Sequence, residues 1–307
     1  MGVLITAAVI FLSVGVGIWA EHRRPEAAGV AARRSLRFVL YVPIPLVVFF
    51  NLAHADLDVE HGVGILLGLA SIAASAVFAW LVCNRFLRLT RPQTGAVLVT
   101  TLSLNSAYLG YPLTAALLGR DELPTAVLFD ILVCAPSLLL GAFAVGAAFG
   151  EEAGESPRER VIAFFARNPP LYAAVAGLLA PEALAPDVLV DFSQALIVAI
   201  LPLGFFAVGA TLAENAEHGD LPMPPKLTRP VLLALVSRLL IAPALLLLLA
   251  APLVDLPAPY LLIAAMPAGV NSLIVANAYG LDMEIVAETI TWSTALVIAA
   301  ALVSLLF

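Results

Sequence analysis

Two stretches decide how this chain folds: Thr100-Thr-Leu-Ser-Leu-Asn-Ser-Ala-Tyr-Leu-Gly-Tyr-Pro112 and Met266-Pro-Ala-Gly-Val-Asn-Ser-Leu-Ile-Val-Ala-Asn277. Each sets an Asn-Ser pair, Asn105-Ser106 and Asn271-Ser272, beside glycine and proline in the middle of a long apolar run. Proline removes a backbone donor and clashes with the preceding turn, and glycine weakens a helix further. Taken singly, a proline or glycine in such a run is more often only a kink, and a lone asparagine a hydrogen bond to a neighbouring helix. The same conjunction twice, at equivalent depth, points instead to two helices broken at one level.

Around these stretches the chain is apolar throughout. Of its 307 residues, 62% are hydrophobic and 12% charged, and the mean hydropathy is +1.03. Soluble domains are about 45–50% apolar and about 25% charged, so this chain has too little polar surface to cover a water-soluble body. Disorder, a collagen-like fibre and a disulfide scaffold are excluded. The two cysteines, Cys83 and Cys134, lie inside apolar runs and read as packing residues. A span takes about 20 apolar residues. Ten stretches fit, at 2–20, 38–54, 62–84, 92–119, 124–148, 168–181, 189–213, 230–252, 257–280 and 284–306. The fold class is therefore all-α, a polytopic membrane protein of ten transmembrane helices. The first stretch has neither a basic start nor a cleavage-like end and reads as a retained helix. The longest links, 21–37 and 214–229, are charged and read as solvated connectors, with a short interfacial helix in 26–37 as the alternative. No loop is long enough for a separate domain.

Charge placement gives the direction. Arg23, Arg24, Arg33, Arg34 and Arg37 follow the first span; Arg85, Arg88 and Arg91 the third; Arg158, Arg160 and Arg167 the fifth; Lys226 and Arg229 the seventh. Thirteen of the 15 basic residues thus share one side, while the opposite links carry acids, as in His54-Ala-Asp-Leu-Asp-Val-Glu-His61. Positive charge stays cytoplasmic, which puts both termini outside the cytoplasm.

A division at residue 155 leaves five spans in 1–155 and five in 156–307. An odd number per half inverts the second half, the pattern of an inverted-topology repeat. Pro45-Leu-Val-Val-Phe-Phe-Asn-Leu-Ala53 aligns with Pro202-Leu-Gly-Phe-Phe-Ala-Val-Gly-Ala210 at four of nine positions. Those prolines are 157 positions apart and the two asparagines of the breaks 166, as one repeat with small insertions requires.

A helix broken at mid-membrane presents a half-helix N-terminus with partial positive charge and free amide groups. Freed backbone is tolerated there only where protein or a water-filled cavity satisfies it. Two crossed breaks would aim such ends at one spot, which suits a carboxylate. The expected substrate-binding set is Asn105, Ser106, Gly110, Tyr111, Pro112, Pro267, Gly269, Asn271 and Ser272. Three ionisable groups also fall inside apolar runs, each needing a reason at about 2.5–3.5 kcal/mol if central. Asp130 is a candidate proton- or substrate-coupling acid, with a structural hydrogen bond as the alternative. Arg238 either snorkels to the cytoplasmic surface or pairs with an acid or an anionic substrate. Glu288, one turn from the cytoplasmic end, reads as a solvated interface residue.

Nothing in the pattern is catalytic. The four histidines sit in loops without metal-ligand spacing, Gly62-Val-Gly64 opens no dinucleotide pattern, and no zinc, phosphate-loop or serine-nucleophile motif occurs. No enzyme activity, cofactor, metal or nucleic-acid partner is expected, the arginines being explained by topology.

At the two breaks the sequence resembles the auxin efflux carrier (PIN-like) family, whose bacterial relatives include malonate transporters. Ala264-Ala-Met-Pro-Ala-Gly-Val-Asn-Ser-Leu-Ile-Val-Ala-Asn-Ala-Tyr-Gly280 is similar to the family's ninth helix, and Gly110-Tyr-Pro-Leu113 to its fourth-helix Gly-Ile-Pro-Leu. Asn168-Pro-Pro-Leu171 and 202–212 also look like family signatures. The long cytoplasmic loop of the plant carriers has no counterpart, since 149–167 is short as in bacterial members. The resemblance implies a scaffold of spans one, two, six and seven, often the homodimer contact. It also implies a transport domain of spans three to five and eight to ten, moving as an elevator. On this reading the protein is a secondary transporter of a small organic anion, a carboxylate, in a bacterial inner (plasma) membrane. Two alternatives stand beside it: a sodium-coupled carrier like the bile-acid symporters, and a membrane sensor that binds a ligand without moving it.

Overall fold

The structure, a computed structural model, describes residues 2–54, 59–151, 169–217 and 225–304. Arg158, Arg160, Arg167 and Asn168 lie outside the described residues. Among the described residues the chain is all-helical, and its single strand-like feature is one antiparallel bridge between Leu104 and Ala268.

Helix α1 (Gly2–Arg23) leads into α2 (Pro25–Tyr41) and α3 (Pro43–Ala53), and then into α4 (Val59–Val82). The connector expected at 21–37 is helical almost from end to end. Its repeat of small and charged residues is amphipathic, with Ala28, Ala32 and Val39 buried and Arg33, Arg34 and Arg37 exposed, so helix formation buries one face. Pro43 and Pro45 interrupt at Val42, and the helix restarts beyond it.

Helix α5 (Arg91–Leu102) opens on a capping box: Thr90 Oγ1 accepts from Gln93 N, and Gln93 Oε1 from Thr90 N. After a break come α6 (Tyr111–Leu117), α7 (Leu123–Phe129) and α8 (Phe143–Phe149), then α9 (Pro169–Leu179) and α10 (Asp187–Glu217). Helices α11 (Arg229–Val236) and α12 (Ala242–Ala250) join through a wide turn at Ser237–Ile241. Helix α13 (Ala258–Ala264) runs into the second break, followed by α14 (Asn271–Tyr279) and α15 (Met283–Val303). Gly280, at a φ of 64°, ends α14 in the left-handed conformation, and Asp282 caps α15 through Ile285 N.

Among the described residues six helical segments are long and apolar enough to cross a membrane: Pro25–Ala53, His61–Leu87, Arg120–Phe149, Asp187–Ala207, Arg229–Ala250 and Met283–Val303. The distribution of side chains is inverted relative to a soluble protein. Leu66, Phe86 and Leu248 are mostly exposed, while Asn51, Thr100, Asp130, Arg238 and Glu288 are buried. Such an apolar exterior is stable only against lipid or protein.

Small residues set the closest approaches. A Cβ on Gly17 would strike Phe206 O, and one on Gly209 would strike Val14 O, so α1 and α10 cross with their backbones in contact. Gly177 of α9 packs in the same way on Phe49 O of α3. Helices α1, α2, α3, α9 and α10 pack on one another, and α4, α5, α8 and α11 to α15 form a second set of contacts.

Candidate functional site at the paired helix breaks

The two apolar runs break where proline, glycine and asparagine meet. Residues 103–105 separate α5 from a wide turn, Ser106–Gly110, that leads into α6; residues 265–270 separate α13 from α14. The breaks lie side by side and antiparallel. Asn105 N donates to Pro267 O at 2.9 Å, and Gly269 N donates to Ser103 O at 2.9 Å. Ala268 N donates to Ser293 Oγ of α15 at 3.2 Å. Each break thus satisfies backbone that the other frees, in a region where an unmet amide is costly.

Glycine allows the close approach on both sides of this contact. A Cβ on Gly269 would lie 2.7 Å from Leu104 O, and one on Gly110 would lie 2.6 Å from Ile263 Cδ1 and 3.2 Å from Met266 Cγ. Among the expected residues, the structure therefore brings Asn105, Gly110, Pro267 and Gly269 into one place. Asn271 and Ser272 follow as the first residues of α14, and Pro112 is the second residue of α6.

The polar side chains divide into two kinds. Ser106 Oγ donates to Asp130 Oδ1 and Tyr111 OH donates to Asp130 Oδ2, each at 2.5 Å. Ser106 and Tyr111, expected among the ligand groups, are thus turned toward the acid, and Asp130 has the hydrogen bonds that the structural alternative foresaw. By contrast, Asn105 Oδ1 and Ser272 Oγ are buried with no hydrogen-bond partner among the described residues. A buried polar atom without a partner costs about 1–3 kcal/mol. Asn271 is half-buried beside them.

Arg238 neither snorkels nor pairs with an acid. It is fully buried, and its guanidinium meets carbonyls: Nη1 donates to Thr101 O at 2.9 Å and Nη2 to Ala264 O. Glu288, expected to be solvated, is fully enclosed. Residues just before α11 lie against it, and Glu288 Oε1 accepts from Lys226 N at 2.8 Å. Lys226 Nζ pairs with Glu284 at 3.0 Å, and that hydrogen bond raises the ammonium's pKa.

Two features carry no clear pattern in the sequence. Ser293 looks like any serine in an apolar helix. The Asn51–Ser193–Gln194 cluster joins α3 to α10: Asn51 Nδ2 donates to Val47 O and to Ser193 Oγ, and Gln194 Nε2 to Asn51 Oδ1. The signal for it was Asn51 itself, a lone amide in an apolar run. Gln194 also lines a cavity of about 580 Å³, whose rim includes His54, His61, Asp121, Glu122 and Asp191. This cavity lies at the acid-bearing end of the spans, apart from the paired breaks.

Paired helix breaks joined by backbone hydrogen bonds lie inside a helical protein whose apolar exterior and long apolar helices are those of a membrane protein. The profile of a family described as membrane transport protein matches residues 3–305, and the chain belongs to that family, the auxin efflux carrier (PIN-like) group. Its members are transporters, not enzymes. The chain is also similar to an uncharacterized transporter of Methanothermobacter thermautotrophicus, at 28% identity over 183 residues. That match covers 57% of this chain and 57% of the relative, so the chain spans little more than half the length of the relative.

Proposed function

We propose that the protein is a secondary transporter of a small organic anion, a carboxylate, held at the paired breaks. The observation that carries this is the buried, unpartnered Ser272 Oγ of the second break, a donor available to a carboxylate; Asn105 Oδ1 of the first break, also unpartnered, can only accept and would meet a donor group of the same ligand or a water. A serine hydroxyl donates by rotating, and an amide offers two donors beside its oxygen. The N-terminus of α14 adds partial positive charge at the same place. Together these groups suit a carboxylate without burying a second full charge.

The reading extends to a ten-span chain of two inverted five-span halves, with both termini outside the cytoplasm of a bacterial inner membrane. The two sets of helix contacts support an elevator. Helices α1, α2, α3, α9 and α10 would form the scaffold, and joined through them a second copy would complete a homodimer. The remaining spans would carry the site, with Asp130 as the coupling acid.

Flux of a carboxylate panel into proteoliposomes tests the proposal. Asn105→Ala and Asn271→Ala should each weaken the apparent affinity roughly tenfold, the loss of one or two hydrogen bonds to a charged ligand. Unchanged affinity in both variants would remove the site. Saturable binding without flux in the wild type would favour a sensor.

A further inference from the structure

The Arg238 guanidinium lies between two helix ends. Its acceptors, Thr101 O and Ala264 O, belong to the last turns of α5 and α13, the half-helices that run into the two breaks. The C-terminal end of a helix carries partial negative charge and carbonyls without intrahelical partners. Two such ends facing one point make a cation site, and transporters with broken helices use such ends and unwound carbonyls to coordinate a coupling ion. Among the described residues no carboxylate is engaged with the arginine: Asp130 is held by Ser106 and Tyr111. The side chain leaves the chain from the wide turn at Ser237–Ile241, a distortion frequent at functional positions.

We propose that the Arg238 guanidinium is a tethered cation occupying this site, so that the crossing is held together and the carrier works without sodium or another bound metal ion. This rests on the transport reading and removes a metal ion from its coupling, leaving that role to the proton at Asp130. Arginine suits the place because it stays charged in any protein environment and its planar fork reaches two separate carbonyls at once. A lysine would present one point charge in place of the fork.

The test uses the whole protein, in detergent for melting and in proteoliposomes for flux, with malonate as the probe. For the wild type, replacing sodium chloride by choline chloride should change neither melting temperature nor flux. Arg238→Gln should lower the melting temperature by roughly 5 °C and the flux by roughly tenfold. Millimolar guanidinium chloride should restore part of both, and Arg238→Lys should fall between Gln and wild type. A sodium-specific rise in wild-type melting temperature or flux overturns the proposal, as does an Arg238→Gln protein that melts and transports like the wild type. Should the Gln variant fail to fold, the wild-type sodium comparison and the Lys variant still decide. Melting does not depend on transport. The expected melting pattern without malonate flux in the wild type would count against the transport reading while leaving the tethered cation in place.

Discussion

The first break takes three residues, 103–105, and continues as a wide turn held by Gly110 N on Asn105 O; the second takes six, 265–270, and passes directly into the regular helix α14. The two carry the same Asn-Ser pair, yet the serines are used differently. Ser106 is bound to Asp130, whereas Ser272 Oγ has no partner among the described residues. The glycines differ as well: Gly269 faces the Leu104 backbone and Ser103 Oγ, and Gly110 faces the flexible side chains of Ile263 and Met266. Similar sequence therefore fixes where the chain breaks, and the neighbouring helices decide what each break can do. One side is tied to an acid, and the other keeps a hydroxyl without a partner among the described residues.

The largest expected effect tests the glycine difference. Gly269→Ala puts a Cβ 2.7 Å from Leu104 O and 3.0 Å from Leu104 C, atoms pinned by the bridge between the breaks. Relief would require parting that bridge, and the cost should be about 3 kcal/mol, the upper end for overpacking. Gly110→Ala meets Ile263 Cδ1 and Met266 Cγ, which can rotate away, so about 1 kcal/mol is expected. Thermal melting of the two variants in detergent makes the measurement. Equal losses would erase the distinction between the breaks.

The serines give the next smaller effect. Ser106→Ala leaves one oxygen of buried Asp130 without its donor, at about 1–3 kcal/mol, and Tyr111→Phe should match it on the other oxygen. Ser272→Ala removes a hydroxyl with no partner, so its stability should stay within about 0.5 kcal/mol of wild type. The same variant should nevertheless bind carboxylate more weakly. If Ser272→Ala destabilises as much as Ser106→Ala, the two breaks are held by equivalent polar contacts and the contrast fails.

How much of this was legible in the sequence follows from the range of the interactions. The breaks were, because Pro112, Pro267, Gly110 and Gly269 act on the backbone within a turn of where they stand. The pairing of the breaks was anticipated only as a crossing; the contact of Leu104 with Ala268 depends on residues 164 positions apart with no side-chain pattern of their own. Arg238 was visible as an expensive charge, but its partners are main-chain carbonyls, which no sequence displays. Glu288 is misplaced by a reading along α15 alone, because its distance from the helix end says nothing of the Lys226 main chain that meets it. The helix over 26–37, which the sequence offers as the alternative to a plain connector, is favoured by the spacing of Ala28 and Ala32 against Arg33, Arg34 and Arg37.

The smallest expected effect concerns a strap that, among the described residues, accompanies the second break. Lys226 holds α15, the helix whose Ser293 accepts from Ala268 N, through two contacts of different kinds. Its main-chain N–H reaches buried Glu288, whereas its ammonium meets Glu284 with the two side chains 62% and 44% exposed. Exposed pairs of this kind contribute little, and Lys226→Ala keeps the main-chain contact, so the melting temperature should not change measurably. The sign of the pH dependence agrees. A lysine pKa raised by its partner gives a contribution fully present below the ordinary value of 10.5 and lost only as pH climbs through the higher folded value. Wild type and Lys226→Ala should therefore melt alike at neutral pH, with any difference between them confined to strongly alkaline solution. A clear loss in the variant at neutral pH would mean that the ammonium, and not the peptide N–H, fastens the strap. The second break would then depend on a surface charge that has no counterpart at the first.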